Sequence, residues 1–110
     1  MLGSSAKASS SSEDFVKETV SSRDIVIFSK SYCAYCARVK SLFEETKKPF
    51  AVIDLDERED GEDIQNALAK LVGRWTVPQV FIKGEHIGGC DDTVGAYRSG
   101  KLKKLLAEID

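Results

Sequence analysis

Hydrophobic positions along this chain follow two rhythms. Residues 24–29, DIVIFS, are an unbroken β-branched run of strand length, apolar enough to be buried on both faces. Over residues 34–46 the spacing changes. Val39, Leu42 and Phe43 recur at helical intervals, with lysines and glutamates on the other side. PFAVIDLD, residues 49–56, reads as a second strand, and GEDIQNALAKLVG returns to the helical rhythm. In that helix Ile64, Leu68 and Leu71 share one face and Gly73 is a natural stop. VPQVFIKGEHIGG predicts a hairpin, with strands at residues 80–83 and 86–88 and a turn at 84–85. The final DDTVGAYRSGKLKKLLAEI is helical and broken at Gly100. Ahead of the first strand, SSED followed by FVKETV marks a short helix over residues 13–21.

Strands and helices therefore alternate and then end in a hairpin and a helix. That order implies an α/β fold, a four-stranded mixed sheet flanked by helices on both faces. Right-handed crossover makes the first two strands parallel. Cys33, just past the first strand, then lies at the carboxyl edge of the sheet, where open α/β folds carry their sites.

At 110 residues the chain suits one domain, taken as residues 12–110. Residues 1–11, MLGSSAKASSS, are serine-rich with one lysine and no apolar core, so they are not a secretory signal. They are expected to form a disordered tail, a remnant of a removed transit peptide or of recombinant expression. The lack of arginine there weighs against the transit reading. A net charge of -2 gives no electrostatic reason to expect nucleic acid or an anionic membrane. No apolar run approaches the roughly 20 residues of a membrane helix. Cys33, Cys36 and Cys90 are too few, and odd in number, for a secreted disulfide framework. A reducing compartment fits, with cytoplasm expected and chloroplast the alternative for a truncated N-terminus.

SKSYCAYCARVKSLF, residues 29–43, poses the chemical question: metal clip, structural disulfide or working thiol. A thiol becomes a nucleophile as thiolate, and a helix N-terminus offers unpaired N–H groups and the positive end of the dipole. Lys30 adds positive charge close by. Cys36 lies one turn further in, near enough to close a disulfide but more enclosed, so Cys33 attacks and Cys36 resolves. A zinc site would need a second ligand pair at regular spacing, and Cys90 with His86 does not match one. An inert pair is disfavoured because CxxC at a helix start after a buried strand is a redox context.

Two further segments carry signals. In WTVPQVF, Val77-Pro78 begins a strand, and only about 5–6% of such bonds are cis in general, so trans is the default. In GEHIGGCDD, Gly88-Gly89 permits close backbone approach, and Cys90, Asp91 and Asp92 open a helix whose N–H groups suit an anion. The aspartates are read either as caps or as part of a site for a zwitterionic α-amino acid end. Cys90 reads as a compact buried residue rather than a third redox thiol, and His86 as structural. Trp75 lines a partner surface or is half-buried. DEREDGED is a solvated helix start, and the lysines of KLKKLL form an exposed helix face.

CAYC, TVP and GGCDD, in this order and at these separations, resemble a dithiol glutaredoxin. The likeness covers residues 13–108 and is strongest to plant and algal members in DIVIFSKSYCAYC, LDEREDG and RWTVPQVFIKGEHIGG. The resemblance implies the thioredoxin fold, glutathione as reductant and a cis Pro78. It implies that the Val77 backbone pairs with the cysteinyl part of glutathione. Lys30 and Gln65 would hold the glycine-end carboxylate, and Cys90 and Asp91 the γ-glutamyl end, with Asp92 close by. Tyr35 would wall the groove and Arg74 would add a cation, while Thr76 and Gly89 complete the expected set. Glutathionylated and disulfide-containing proteins are the implied partners. Cys33 would be left carrying glutathione as a mixed disulfide, released by a second glutathione. For protein disulfides Cys36 resolves instead.

Ala34 departs from the proline common after the first cysteine in dithiol members, which restores an N–H at the helix start. Members with a small residue there sometimes hold a 2Fe–2S cluster between two protomers. Its ligands would be Cys33 of each chain and two glutathiones. The alternative reading is therefore a cluster-bridged dimer, against a monomeric enzyme. A thioredoxin-type reductase is disfavoured by the tyrosine of CAYC and by GGCDD.

Overall fold

The apolar run after Asp24 becomes β1 (Ile25–Ser29), buried along its whole length. The computed structural model describes residues 3–109. β1 is an inner strand of a four-stranded sheet ordered β2-β1-β3-β4, with β2 at Ala51–Asp54, β3 at Gln79–Ile82 and β4 at Glu85–Gly88. β1 and β2 are parallel, pairing Val26 with Ala51 and Ser29 with Asp54. β3 runs antiparallel to both of its neighbours. The helices are α1 (Gly3–Ser22), α2 (Ala34–Glu45), α3 (Gly61–Val72), α4 (Cys90–Ser99) and α5 (Lys101–Leu106).

Successive strand residues point to opposite faces, so the sheet sorts its apolar side chains into two cores. Ile25, Ile27, Val80 and Ile82 meet Val39 and Phe43 of α2 and Leu102 and Leu106 of α5. Val26, Phe28 and Phe81 meet Val16 and Val20 of α1 and Ile64 and Leu68 of α3. Phe28 and Phe81 touch edge to face with centroids 5.9 Å apart. The expected mixed, two-faced sheet is what forms.

Four details differ from the sequence reading. The hairpin turn sits one residue earlier, at Lys83-Gly84, with φ of 50° and 82°. Two positive-φ residues make the tight turn whose twist matches that of the strands, so the strands begin at Gln79 and Glu85. β2 ends at Asp54 rather than continuing to residue 56. There the Asp54 carboxylate takes the Ser29 hydroxyl at 2.8 Å and Lys40 Nζ at 3.3 Å. A 3-10 turn over Leu55–Glu57 then swings Leu55 into the α1–α3 core. Leu71 is 48% exposed, because the buried stripe of α3 runs through Ile64, Ala67 and Leu68 and drifts to Val72. α1 begins at Gly3 rather than near residue 13, through residues 3–11 of the expected tail, since no glycine or proline interrupts it before Ser22. Among its described side chains Ser12, Val16 and Val20, four apart, are buried. Met1 and Leu2 of that tail lie outside the described residues.

The charge run after Asp54 is exposed, as read from sequence. Its Arg58 lies over the Phe15 ring at 4.6 Å and so ties the run to α1. Gly73 (φ 76°) stops α3 and Gly100 (φ 88°) separates α4 from α5.

Candidate active site

Cys33 is the N-cap of α2, in extended backbone conformation, and its Sγ accepts the Cys36 N–H at 3.2 Å. The sulfur thus takes one of the N–H groups that a helix N-terminus leaves without a backbone partner. The loop before it is pinned from behind. The Cys33 N–H reaches the Lys30 carbonyl at 3.1 Å, and Ser31 binds Asp56 through its N–H at 2.9 Å and through its hydroxyl. Those two Ser31 bonds hold the Asp56 carboxyl below the usual carboxylate range. Cys33 is partly exposed, whereas Cys36 is fully buried. Burial first, then its hydrogen bond with Cys33, pushes the Cys36 thiol up to about 11. Cys36 therefore stays a thiol at neutral pH, which fits the roles read from the helix position.

A groove of about 380 Å³ starts beside this sulfur. The Val77 carbonyl, 3.8 Å from Cys33 Sγ, begins one wall, which Thr76, Val77 and Pro78 form together. The Val77-Pro78 bond is cis, as the resemblance implied. Gly89, Cys90, Asp91 and Asp92, at the start of α4, form the facing wall, and Tyr35 and Arg74 complete the lining. Lys30 and Gln65 do not line it. The Gln65 amide instead donates to the Trp75 carbonyl at 2.7 Å.

The two aspartates differ in what they touch. Asp92 reaches back to the Gly89 N–H at 3.0 Å and holds Arg74 Nη1 at 2.7 Å, so it caps α4 and neutralises Arg74. Arg74 first, then the Gly89 N–H, keep its carboxyl below the usual range. Asp91 is exposed and in no ion pair among the described residues. Cys90 is buried, in the core shared with α2, and burial raises its thiol. Trp75 is 59% exposed rather than half-buried.

Sequence reasoning missed Gln79. Fully buried, it donates to the Thr76 carbonyl at 3.1 Å and to the Thr76 hydroxyl at 3.2 Å, while its carbonyl oxygen accepts from His86 Nε2 at 2.8 Å. Burial and the nearby Arg74 charge lower the His86 pKa, so the ring is neutral at pH 7. This bridge braces the Thr76–Pro78 wall against β4. A glutamine inside an otherwise apolar strand was the available signal. Thr93, on the buried face of α4, likewise donates its hydroxyl to the Gly89 carbonyl at 2.8 Å.

The glutaredoxin family model matches residues 25–87, from β1 into β4. The chain belongs to the glutaredoxin family. Glutaredoxin-C8 of Oryza sativa subsp. japonica is 59% identical over 108 residues, spanning 96% of this chain and 79% of that relative. Glutaredoxin-C4 of Arabidopsis thaliana is 63% identical over 102 residues, 93% of this chain and 76% of that one. The crystal structure of a buckwheat glutaredoxin–glutathione complex superposes with a TM-score of 0.90 at 43% identity, covering 93% of each chain. This glutaredoxin thus has the thioredoxin fold and is a glutathione-dependent disulfide oxidoreductase, with Cys33 and Cys36 as a CxxC pair.

Proposed function

We propose that this glutaredoxin reduces glutathione mixed disulfides on proteins, and protein disulfides, through the Cys33 thiolate. The observation that carries the reading is the one partly exposed thiol, Cys33, held by the Cys36 N–H and 3.8 Å from the Val77 carbonyl at the groove wall. Cys33 attacks the glutathione sulfur of the mixed disulfide. The protein sulfur leaves as thiolate with the bonding pair, and a Cys33–glutathione disulfide remains. A second glutathione thiolate attacks that glutathione sulfur, releasing oxidised glutathione and the Cys33 thiolate. Where the substrate is a protein disulfide, Cys33 attacks one sulfur and expels the other as thiolate. Cys36, giving up its proton, then attacks Cys33, expels the second protein thiolate and leaves a Cys33–Cys36 disulfide. Two glutathiones reduce that disulfide, releasing oxidised glutathione.

The groove suits a zwitterionic tripeptide. Among the described residues the Val77 N–H and carbonyl have no backbone partner, the carbonyl meeting only the Cys33 sulfur at 3.8 Å, so both suit pairing with an extended peptide. The exposed Asp91 carboxylate faces an ammonium, and the first N–H groups of α4 face its neighbouring carboxylate. Lys30, in no ion pair among the described residues, supplies a cation for the glycine end. Gln65 joins it by exchanging its bond to Trp75. Turnover of a glutathionylated peptide with glutathione as the sole thiol reductant tests the reading. Cys33→Ser abolishes turnover and Cys36→Ser preserves most of it; steady turnover by Cys33→Ser would overturn the assignment.

Ala34 and the exposure of one thiol favour a second role. Cys36 and Cys90 are buried, so one chain offers one thiolate, where a 2Fe–2S cluster takes four. Cys33 of two copies with two glutathiones meets that count, and the bound cluster would supply one-electron chemistry or a store of iron and sulfide. Anaerobic reconstitution with iron, sulfide and glutathione should then give a visible absorbance band and a dimer, both reduced by Ala34→Pro. Their absence in the unaltered protein sinks this role.

A further inference from the structure

Three of the five large hydrophobic side chains exposed among the described residues belong to the catalytic end. Tyr32 and Tyr35 flank Cys33, and Trp75 precedes the Thr76–Pro78 wall. Tyr97, 54% exposed, does not belong there. It stands on the second half of α4, over a separate groove of about 730 Å³ where α4 and α5 meet the chain leaving α2. Leu102 and Leu106 of α5 lie at its base, each less than a tenth exposed.

The charges around this groove are of one sign. Among the described residues Lys48, Arg98 and Lys103 line it and no carboxylate does, although the whole chain carries a net charge of -2. Lys48 Nζ is engaged by the Ile109 carbonyl at 2.8 Å. Arg98 and Lys103 are exposed and take part in no ion pair among the described residues. Thr46, at the groove, and Cys33 cap opposite ends of the 12-residue α2, which separates them by about 18 Å. An occupant here leaves the catalytic sulfur uncovered.

We propose that this groove docks an acidic amphipathic helix of a partner protein. Its apolar stripe would lie over Leu102 and Leu106 beside Tyr97, and its carboxylates would face Arg98 and Lys103. Charge and shape choose this occupant over others. Isologous pairing of the groove with a second copy would set Arg98 and Lys103 against their own kind. A membrane surface is disfavoured because the leucines lie at the base of a concavity, which a convex helix fills and a flat bilayer does not.

The test is fluorescence anisotropy of a labelled peptide of about 16 residues, roughly 24 Å as a helix, with leucines at i, i+3, i+4 and i+7 and glutamates elsewhere. Saturable binding to the full chain is expected, about tenfold weaker in the Arg98→Glu, Lys103→Glu double variant and weaker at high salt. Both positions are exposed on helix surfaces, and circular dichroism confirms that the variant is folded. The proposal is overturned if the peptide with lysine in place of glutamate binds as well, if the double variant binds unchanged, or if nothing binds. It is also overturned if the same substitutions abolish self-association in sedimentation, or binding to vesicles of anionic phospholipid, instead. Binding is read here without chemistry, and the double variant retains turnover of the glutathionylated peptide. Failure of the groove and failure of the oxidoreductase reading are therefore distinguishable.

Discussion

The two sulfurs of CAYC sit one helical turn apart and meet different solvents. Cys33 is partly exposed and Cys36 is buried, and the difference should show in reactivity. Brief iodoacetamide treatment at pH 8, read by mass spectrometry, is expected to label Cys33, while Cys36 and Cys90, both raised by burial, stay unmodified. Equal labelling of Cys36 would contradict the burial account. The same asymmetry enters stability. The Cys36 value is raised above its unfolded 9.0 to about 11, so its contribution is intact below pH 9 and is lost as pH rises through 11. Melting temperature should fall across that window, and the fall should be shallower in Cys36→Ser. The difference in exposure between the two sulfurs was legible from spacing, because a helix start exposes its cap and turns the next residue of that face inward. The Asp92–Arg74 pair was not legible. It joins residues from two segments whose approach the fold alone sets.

At the scale of elements, loops become precise where a buried group ties them to a strand or helix. Gln79 holds the Thr76–Pro78 wall from β3, and Gln79→Ala leaves the Thr76 carbonyl and the His86 ring without that partner. A loss of about 1–3 kcal/mol in denaturant unfolding is expected, with a raised KM for glutathione; an unchanged KM would show that the wall does not need the brace. Glycines at element ends divide in the same physical way. At Gly61 an added Cβ would fall 1.8 Å from the Leu55 carbonyl oxygen, so Gly61→Ala must shift the backbone between the 3-10 turn and α3. At Gly73 an added Cβ meets nothing within 4 Å, and only the positive φ penalises it. Gly61→Ala should therefore lose about 3 kcal/mol and Gly73→Ala about 1 kcal/mol, compared by urea titration. Gly73 was readable as a helix stop. The Gly61 requirement was invisible, because it comes from a carbonyl across a turn.

Over the whole molecule, the sheet separates two cores that share its inner strands. Phe28 is fully buried between β1, α1 and α3, so Phe28→Ala should cost about 3–5 kcal/mol, a large part of the stability of a domain this size. Leu71, 48% exposed, should lose less than about 0.5 kcal/mol as alanine, although its helical spacing matches that of Ile64 and Leu68. Thermal unfolding of the two variants, side by side, checks that ranking. Periodicity locates a helix face; what that face meets along its length depends on where α1 ends its overlap with α3.

The sequence by itself determined the order of elements, the mixed sheet, the helix-start thiol and the three segments that form the site. These are local matters of apolar period, helix termini and glycine, each readable within a few neighbours. Only the tertiary structure decided that Gln79 braces the cis-proline wall and that Asp92 is spent on Arg74 and the α4 cap. It alone brought Tyr97, Arg98 and Lys103 together over a groove remote from the sulfur. Those outcomes depend on distances between segments far apart in the chain, and such distances exist only once both cores have closed on the sheet.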